Sequence, residues 1–408
     1  MRIKVNWTTV LVSSILFINY SMMCMELVSA TVRAAITIAV SAVILFIIAR
    51  RRNNGFSIRV VKKIYILALI LTTLIVVSCL VNGFNIQYDF YTIFLIFISA
   101  FFASEIERES FYESYVSSMC FFSFFGTAIY LLYRFFPMLF SFFPKHIWHG
   151  SIEFKNCILC VVQTNSQFIR NYGVFYEPGM FSFFLIIAIY FALFKTNPNF
   201  KKIAVLVVAL LSALSTNGYI CAALLFLAFF FVKTQFSRKI KRRILILLVG
   251  LVVFVIIFFA INPTAFSFLV DKFSEINMSG EVSMRETGSG YERWRSVILA
   301  LEAIWINPIF GVAANGWQTL FSNVIGTATP LNWFGMYGLL YGLIMNFFYL
   351  KSAVISTGGN SRYIISAIGM IVFILNCMSQ NVSNCIIVLM LIFYAAADMG
   401  VKAKSIRR

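Results

Sequence analysis

Apolar positions along this chain fall in long unbroken runs, with neither the alternation of a half-buried strand nor the three-and-four spacing of a half-buried helix. A helix needs about 20 mostly apolar residues to cross roughly 30 Å of hydrocarbon. Runs near 8–28, 31–49, 64–82, 90–104, 113–136, 179–194, 203–216, 218–232, 244–262, 331–350, 363–378 and 384–400 therefore predict about 12 transmembrane helices. The polar tetrad Ser215-Thr216-Asn217-Gly218 predicts a tight turn between two of them. Most connections are brief, but two are long, about 137–178 and 263–330, and each runs straight into a span. No internal repeat or low-complexity linker divides the chain. The expected fold class is an all-α polytopic integral membrane protein, one integral domain over 1–408.

Composition agrees with lipid as the solvent. The chain is 61% hydrophobic and 12% charged, and its mean hydropathy is +0.89. The net charge of +18 would ordinarily raise nucleic acid as a partner. The Lys and Arg residues, however, sit in short clusters between apolar runs, which is how topology is controlled. With the N-terminus in the cytoplasm, most of the 33 cations fall on that side. This places both termini inside and both long loops outside, which in a bacterial inner membrane means periplasmic loops. The start, Met1 to Lys4 followed by an apolar run to Ala30, has the outline of a secretory signal. The run is too long for one, and a retained first helix is expected.

Few residues remain to carry chemistry. The segment Arg170 to Gly179, RNYGVFYEPG, gathers a cation, aromatic rings and a carboxylate just before an apolar run. Pro178 favours the first position of a helix, so Glu177 falls at the helix N-terminus. There it either caps free N–H groups or serves as a held carboxylate that accepts a proton from a hydroxyl. Arg170 either snorkels to headgroups or offers its planar fork to phosphate oxygens. The second long loop holds Gly288-Ser289-Gly290-Tyr291-Glu292-Arg293-Trp294-Arg295 and then Asn307-Pro308-Ile309-Phe310-Gly311. Arg293 and Arg295, two apart, project to different sides of a helix, so only one points into any shared site.

Several familiar sites are missing. His146 and His149 flank Trp148 with no carboxylate or thiol to complete a metal set. No phosphate-binding glycine loop and no Asp-x-Asp pair is present, so no metal or nucleotide cofactor is expected. Cys157 and Cys160 form a lone C-x-x-C whose redox role is open. The other cysteines lie in or beside apolar runs as small hydrophobes. The spans carry almost no charge, unlike those of an ion-coupled transporter.

The arrangement resembles the bacterial O-antigen polymerases and ligases, membrane glycosyltransferases that act on undecaprenyl-pyrophosphate-linked sugars. The resemblance lies in Arg170-x-x-Gly173-x-Phe175-x-Glu177-Pro178-Gly179 before a span and in the Leu214-Ser215-Thr216-Asn217-Gly218 turn. It continues in Gly290-x-x-Arg293, in Pro308-x-x-Gly311 and in Asn332 opening a span with Gly335 and Gly338. It covers roughly residues 165–350 and implies a glycosyltransferase C-like helical fold. Ligases of this family carry a His-Asn pair where this chain reads Pro330-Leu331-Asn332, and that favours the polymerase. The resemblance implies Glu177 as a base, with Arg170 and Arg293 (or Arg295) neutralising the pyrophosphate. Tyr172, Tyr176, Tyr291 and Trp294 would stack on sugars, and Asn217 and Asn332 would contact substrate. The expected partners are the lipid-linked oligosaccharide, membrane lipids, and a chain-length regulator and flippase of the same pathway. Ligase and lipid-linked oligosaccharide flippase are the alternatives.

Overall fold

The apolar runs become helices. A computed structural model describes residues 6–50, 58–83, 87–148, 152–157, 159–164, 170–232, 242, 246, 289–320, 326–355 and 361–398. In chain order the helices are α1 (Trp7–Tyr20), α2 (Met22–Leu27), α3 (Ala30–Arg50), α4 (Ile58–Val81), α5 (Gln87–Glu105), α6 (Arg108–Phe135) and α7 (Pro178–Phe194). They continue as α8 (Phe200–Ser212), α9 (Thr216–Val232), α10 (Ser289–Ile306), α11 (Ala313–Leu320), α12 (Thr329–Ser352), α13 (Ser361–Met378) and α14 (Ile386–Ala397). By length and composition three are suited to cross a membrane: Val61–Val81 within α4, α6 and α12. Shorter apolar helices accompany them, α7 and α14 among them. This is a helical, membrane-associated protein. The expected span at 244–262 lies outside the described residues.

The chain divides into two compact units, Met1–Arg52 with Glu109–Val270, and Asn53–Arg108 with Asp271–Arg408. In the first unit the centre is α7, whose 17 residues are all buried. A helix that is apolar on every face belongs inside. Tyr115 of α6 donates its hydroxyl to Phe184 O at 3.0 Å, which ties α6 to α7.

Two features depart from the expected pattern here. The predicted span 8–28 is broken at Ser21, whose backbone is extended and whose Oγ caps α2 by accepting Cys24 N–H. Ser21 forms an isolated bridge with Phe175, and Met22 N donates to Val174 O at 3.1 Å, so a distant segment takes up the hydrogen bonds the helix gives up. The predicted turn at 215–218 falls earlier, over Ala213 to Ser215. Ser215 Oγ accepts Gly218 N–H, which makes the Ser-Thr-Asn-Gly tetrad the start of α9.

The first long loop is also not all-helical. A 3-10 turn, Pro137–Phe140, leads into an antiparallel sheet of β1 (Lys145–Trp148), β2 (Ile152–Asn156) and β3 (Val161–Gln163), in that order. Register pairs His146 with Phe154 and Lys155 with Val162. Beneath the sheet, Tyr133, Phe140, Cys157, Cys160 and Val162 form a small core.

The second unit is built around α12. Gly338, at φ 85°, interrupts this helix. The free backbone groups are taken up by the Pro308 to Gly311 turn: Leu339 N donates to Pro308 O and Val312 N to Gly335 O, both at 2.9 Å. A Cβ on Gly338 would lie 2.0 Å from Ile309 O, so only glycine lets the two backbones meet. Asn82, just past α4, holds the same turn through Gly311 O at 2.9 Å, and Ser78 of α4 bonds α12 beside the break through Met336 O at 3.4 Å.

Candidate functional site

The segment Arg170 to Gly179 is locked at both ends. Arg170 donates Nε to Ala213 O at 3.2 Å and Nη2 to Leu214 O at 3.0 Å. These carbonyls close the C-terminus of α8, where a cation also offsets the helix dipole. Leu214 itself sits in the left-handed region at φ 50°, so the turn that Arg170 clasps is strained by about 1 kcal/mol. Two motif pieces far apart in sequence, Arg170-x-x-Gly173 and Leu214-Ser215-Thr216-Asn217-Gly218, are thus joined by direct hydrogen bonds. Asn217 lies half-buried in the first turn of α9, where its Oδ1 accepts a weak contact from Cys221 Sγ at 3.9 Å.

Asn171 does the fastening. It is fully buried; its Nδ2 donates to Ser212 Oγ at 2.8 Å and Thr127 Oγ1 at 3.2 Å, and its Oδ1 accepts Gly173 N–H at 2.8 Å. Its backbone N–H also reaches Ser212 O at 3.0 Å. The loop lies hard against α6 at Gly126, where a Cβ would come 2.8 Å from Gly173 Cα. Sequence reading passed over Asn171. Nothing in its neighbours signals that α6 and α8 both reach for it.

Phe175 is buried and stacks on Phe184 and Phe181 at 4.9 and 5.5 Å. Glu177 occupies the N-cap position of α7 with extended backbone, and Pro178 follows at the first helical position. Its side chain makes no capping hydrogen bond. Of the two roles considered for Glu177, capping is the one this geometry leaves aside. The half-buried carboxylate instead lies close enough to Tyr172 to act on its hydroxyl electrostatically.

Tyr172 is mostly buried against Phe154, at 5.2 Å between ring centres, and donates its hydroxyl to Gln163 Oε1 at 2.9 Å. Burial pushes its pKa up to about 12; the Arg170 charge works downward and the Glu177 charge upward. Its ring therefore builds the loop's core and does not offer a face to a sugar. Of the pair of tyrosines, Tyr176 is the half-buried one, packed at the rim of that core.

Cys157 and Cys160 are buried free thiols. Desolvation raises the Cys157 thiol to about 11 and Cys160 further. Neither is poised as a thiolate. His146 lies on β1, and His149 is outside the described residues. Among the described residues no cluster of His, Cys, Asp and Glu could hold a metal ion.

The remaining expected residues belong to the second unit. Arg293 is half-buried on α10, while Trp294 and Arg295 are exposed. Their neighbour Tyr291 is described in its backbone alone. Asn332 is buried one turn into α12; its Nδ2 donates to Gly326 O at 2.8 Å, and its Oδ1 meets no partner among the described residues.

This unit also holds a carboxylate that sequence reading did not single out. Asp89 is fully buried and accepts Tyr337 Oη at 2.7 Å and Cys79 Sγ at 2.9 Å. Tyr337 immediately precedes the break at Gly338, so Asp89 braces the interrupted helix. A lone acid entering an apolar run in so charge-poor a chain was the available signal.

Comparison of the chain with protein-family models gave no match, and comparison with curated proteins gave none either.

Proposed function

We propose that this protein is a membrane glycosyltransferase that polymerises oligosaccharide repeats carried on undecaprenyl pyrophosphate, at the outer face of a bacterial inner membrane. In this reading about twelve helices span the membrane, both termini are cytoplasmic, and the Arg170 to Gly179 segment belongs to the reaction site. The observation that carries it is the fastening of Arg170 and Glu177 on one bolted segment at the entry of the buried helix α7. A held cation can offset charge on a leaving pyrophosphate and a carboxylate can take the acceptor's hydroxyl proton, which suits glycosyl transfer from such a carrier.

The chemistry proceeds as follows. An acceptor hydroxyl on the incoming lipid-linked repeat attacks the anomeric carbon of the growing chain. Glu177 takes the hydroxyl proton as the new glycosidic C–O bond forms. The bond from the anomeric carbon to the pyrophosphate oxygen breaks, and the lipid pyrophosphate leaves with the electron pair. Arg170 offsets the charge that builds on that leaving group. Exchange of the activated glycosyl–phosphate C–O bond for a glycosidic bond drives the transfer, and the P–O–P linkage leaves intact, so no nucleotide is consumed in this step. Arg293 (or Arg295, on a different side of the helix) is proposed separately as a carrier-binding cation, and Trp294 and Tyr291 as sugar-stacking residues.

The reading is tested by reconstituting the purified full-length protein in lipid nanodiscs with a lipid-pyrophosphate-linked repeat unit. Appearance of lipid-linked dimers and longer oligomers supports polymerisation. Transfer of the glycan only to an added lipid A core acceptor would replace it with the ligase reading, and no transfer to either acceptor would remove both.

A further inference from the structure

From the last turn of α6 onward the chain reads Arg134-Phe-Phe-Pro-Met-Leu-Phe-Ser-Phe-Phe143, and its side chains divide into two faces. Phe140 is buried with Tyr133, Cys157, Cys160 and Val162, and Phe143 packs against that cluster. Tyr133 meets Phe140 edge-on at 5.4 Å, and Phe140 stacks on Phe143 at 5.8 Å. The other face is bare: Phe135, Phe136, Met138, Leu139 and Phe142 are between 57% and 88% exposed. Five large apolar side chains in eight residues, held out by a packed turn rather than by a floppy loop, form a patch that water does not tolerate cheaply.

Its occupant follows from what the patch continues. Helix α6 is apolar and long enough to cross a membrane. Phe121, Phe124, Phe125, Leu131, Leu132 and Phe135 are exposed along one stripe of it at three- and four-residue spacing. The turn after α6 extends this stripe without an intervening polar residue on the exposed side until Ser141. Arg134 and Lys145, both exposed, bracket the patch with cations, Lys145 also pairing with Glu153 Oε2 at 3.3 Å.

We infer that residues 135–142 are an in-plane membrane anchor, lying in the lipid interface where α6 ends rather than in the aqueous loop. Its partner is the lipid surface. The anchor holds the β1–β3 sheet flat against the bilayer, and this fixes the depth of the loop that the sheet carries. The inference does not depend on the glycosyltransferase reading, since it concerns where the segment sits and not what the site does.

Spin labels at Met138→Cys and Phe142→Cys, in the full-length protein in nanodiscs, test it by collision with oxygen and with a water-soluble nickel chelate. Met138 is the more exposed of the two and touches no core, so the fold survives its replacement. Signal from native cysteines is subtracted with wild type treated identically. Both labels should be more accessible to oxygen than to the chelate, as at Leu132→Cys on the α6 stripe. Greater accessibility to the chelate would place the segment in water and overturn the inference. Low accessibility to both reagents would mean that protein covers the patch, and would overturn it equally.

Discussion

Replacing Asn171 by alanine tests how firmly the Arg170 loop is held. The substitution removes three side-chain hydrogen bonds, to Ser212, Thr127 and Gly173. The two hydroxyls are not equally affected, because Ser212 Oγ still donates to Ala209 O at 2.8 Å. The Gly173 N–H is the costly loss: it is buried and would have no side-chain acceptor. An orphaned buried donor costs about 1–3 kcal/mol and each ordinary bond about 1 kcal/mol, so the expected loss is about 3 kcal/mol. On the scaling for domains of roughly 150–250 residues, the melting midpoint should fall by about 6–12 °C. Thermal unfolding of the purified protein, followed by tryptophan fluorescence or by size-exclusion recovery after heating, measures it. Ser212→Ala should cost only about 1 kcal/mol. The double variant should cost less than the sum, because the shared bond is lost once. A midpoint change below about 2 °C for Asn171→Ala, or simple additivity with Ser212→Ala, would refute the idea that Asn171 fastens the loop.

Three further outcomes follow from the same geometry. Glu177→Gln, close in size and losing no capping bond, should leave the melting midpoint within about 2 °C of wild type, yet lower polymerisation by about 100-fold or more; the reconstituted assay and a melt read the two effects apart. Arg170→Lys should cost about 1–2 kcal/mol and most of the activity, because a point charge cannot bond both Ala213 O and Leu214 O as the fork does; full activity and stability would contradict both roles. The Tyr172 hydroxyl has its pKa raised by burial to about 12. Its contribution is therefore intact below pH ~10 and lost as the pH climbs toward about 12. Tyr172→Phe should flatten that part of the melting-temperature profile, and an unchanged profile would contradict the assignment.

What could be read from the sequence divides by the range of the interactions involved. Helix starts with local signals were legible, as where Pro178 opens α7, whereas the break at Gly338 falls inside a span expected to run unbroken over 331–350. Interruptions with distant causes were not. The break at Ser21 depends on Phe175 and Val174, some 150 residues on. The turn between α8 and α9 moved upstream because Ser215, the first residue of the apparent polar turn, caps the helix that follows. The small sheet was not legible because its strands are only three to five residues long and apolar side chains pack on both of its faces, Phe154 and Val161 in one cluster and Val162 in another. At the site, the residue types that offer charge, Arg170 and Glu177, stood out in a charge-poor chain. Asn171 did not, because its role lies in partners on other elements, Thr127 and Ser212; Asp89 offered its charge as a signal, but its bracing role lies in Cys79 and Tyr337.

The most direct measurement is the surface-polysaccharide ladder of a bacterium whose chromosomal copy of this gene has been deleted, before and after complementation. A polymerase predicts loss of all long chains with survival of a core-plus-one-repeat band, and recovery of the ladder by wild type but not by Glu177→Gln. Loss of every repeat-bearing band, or an unchanged ladder, would contradict it.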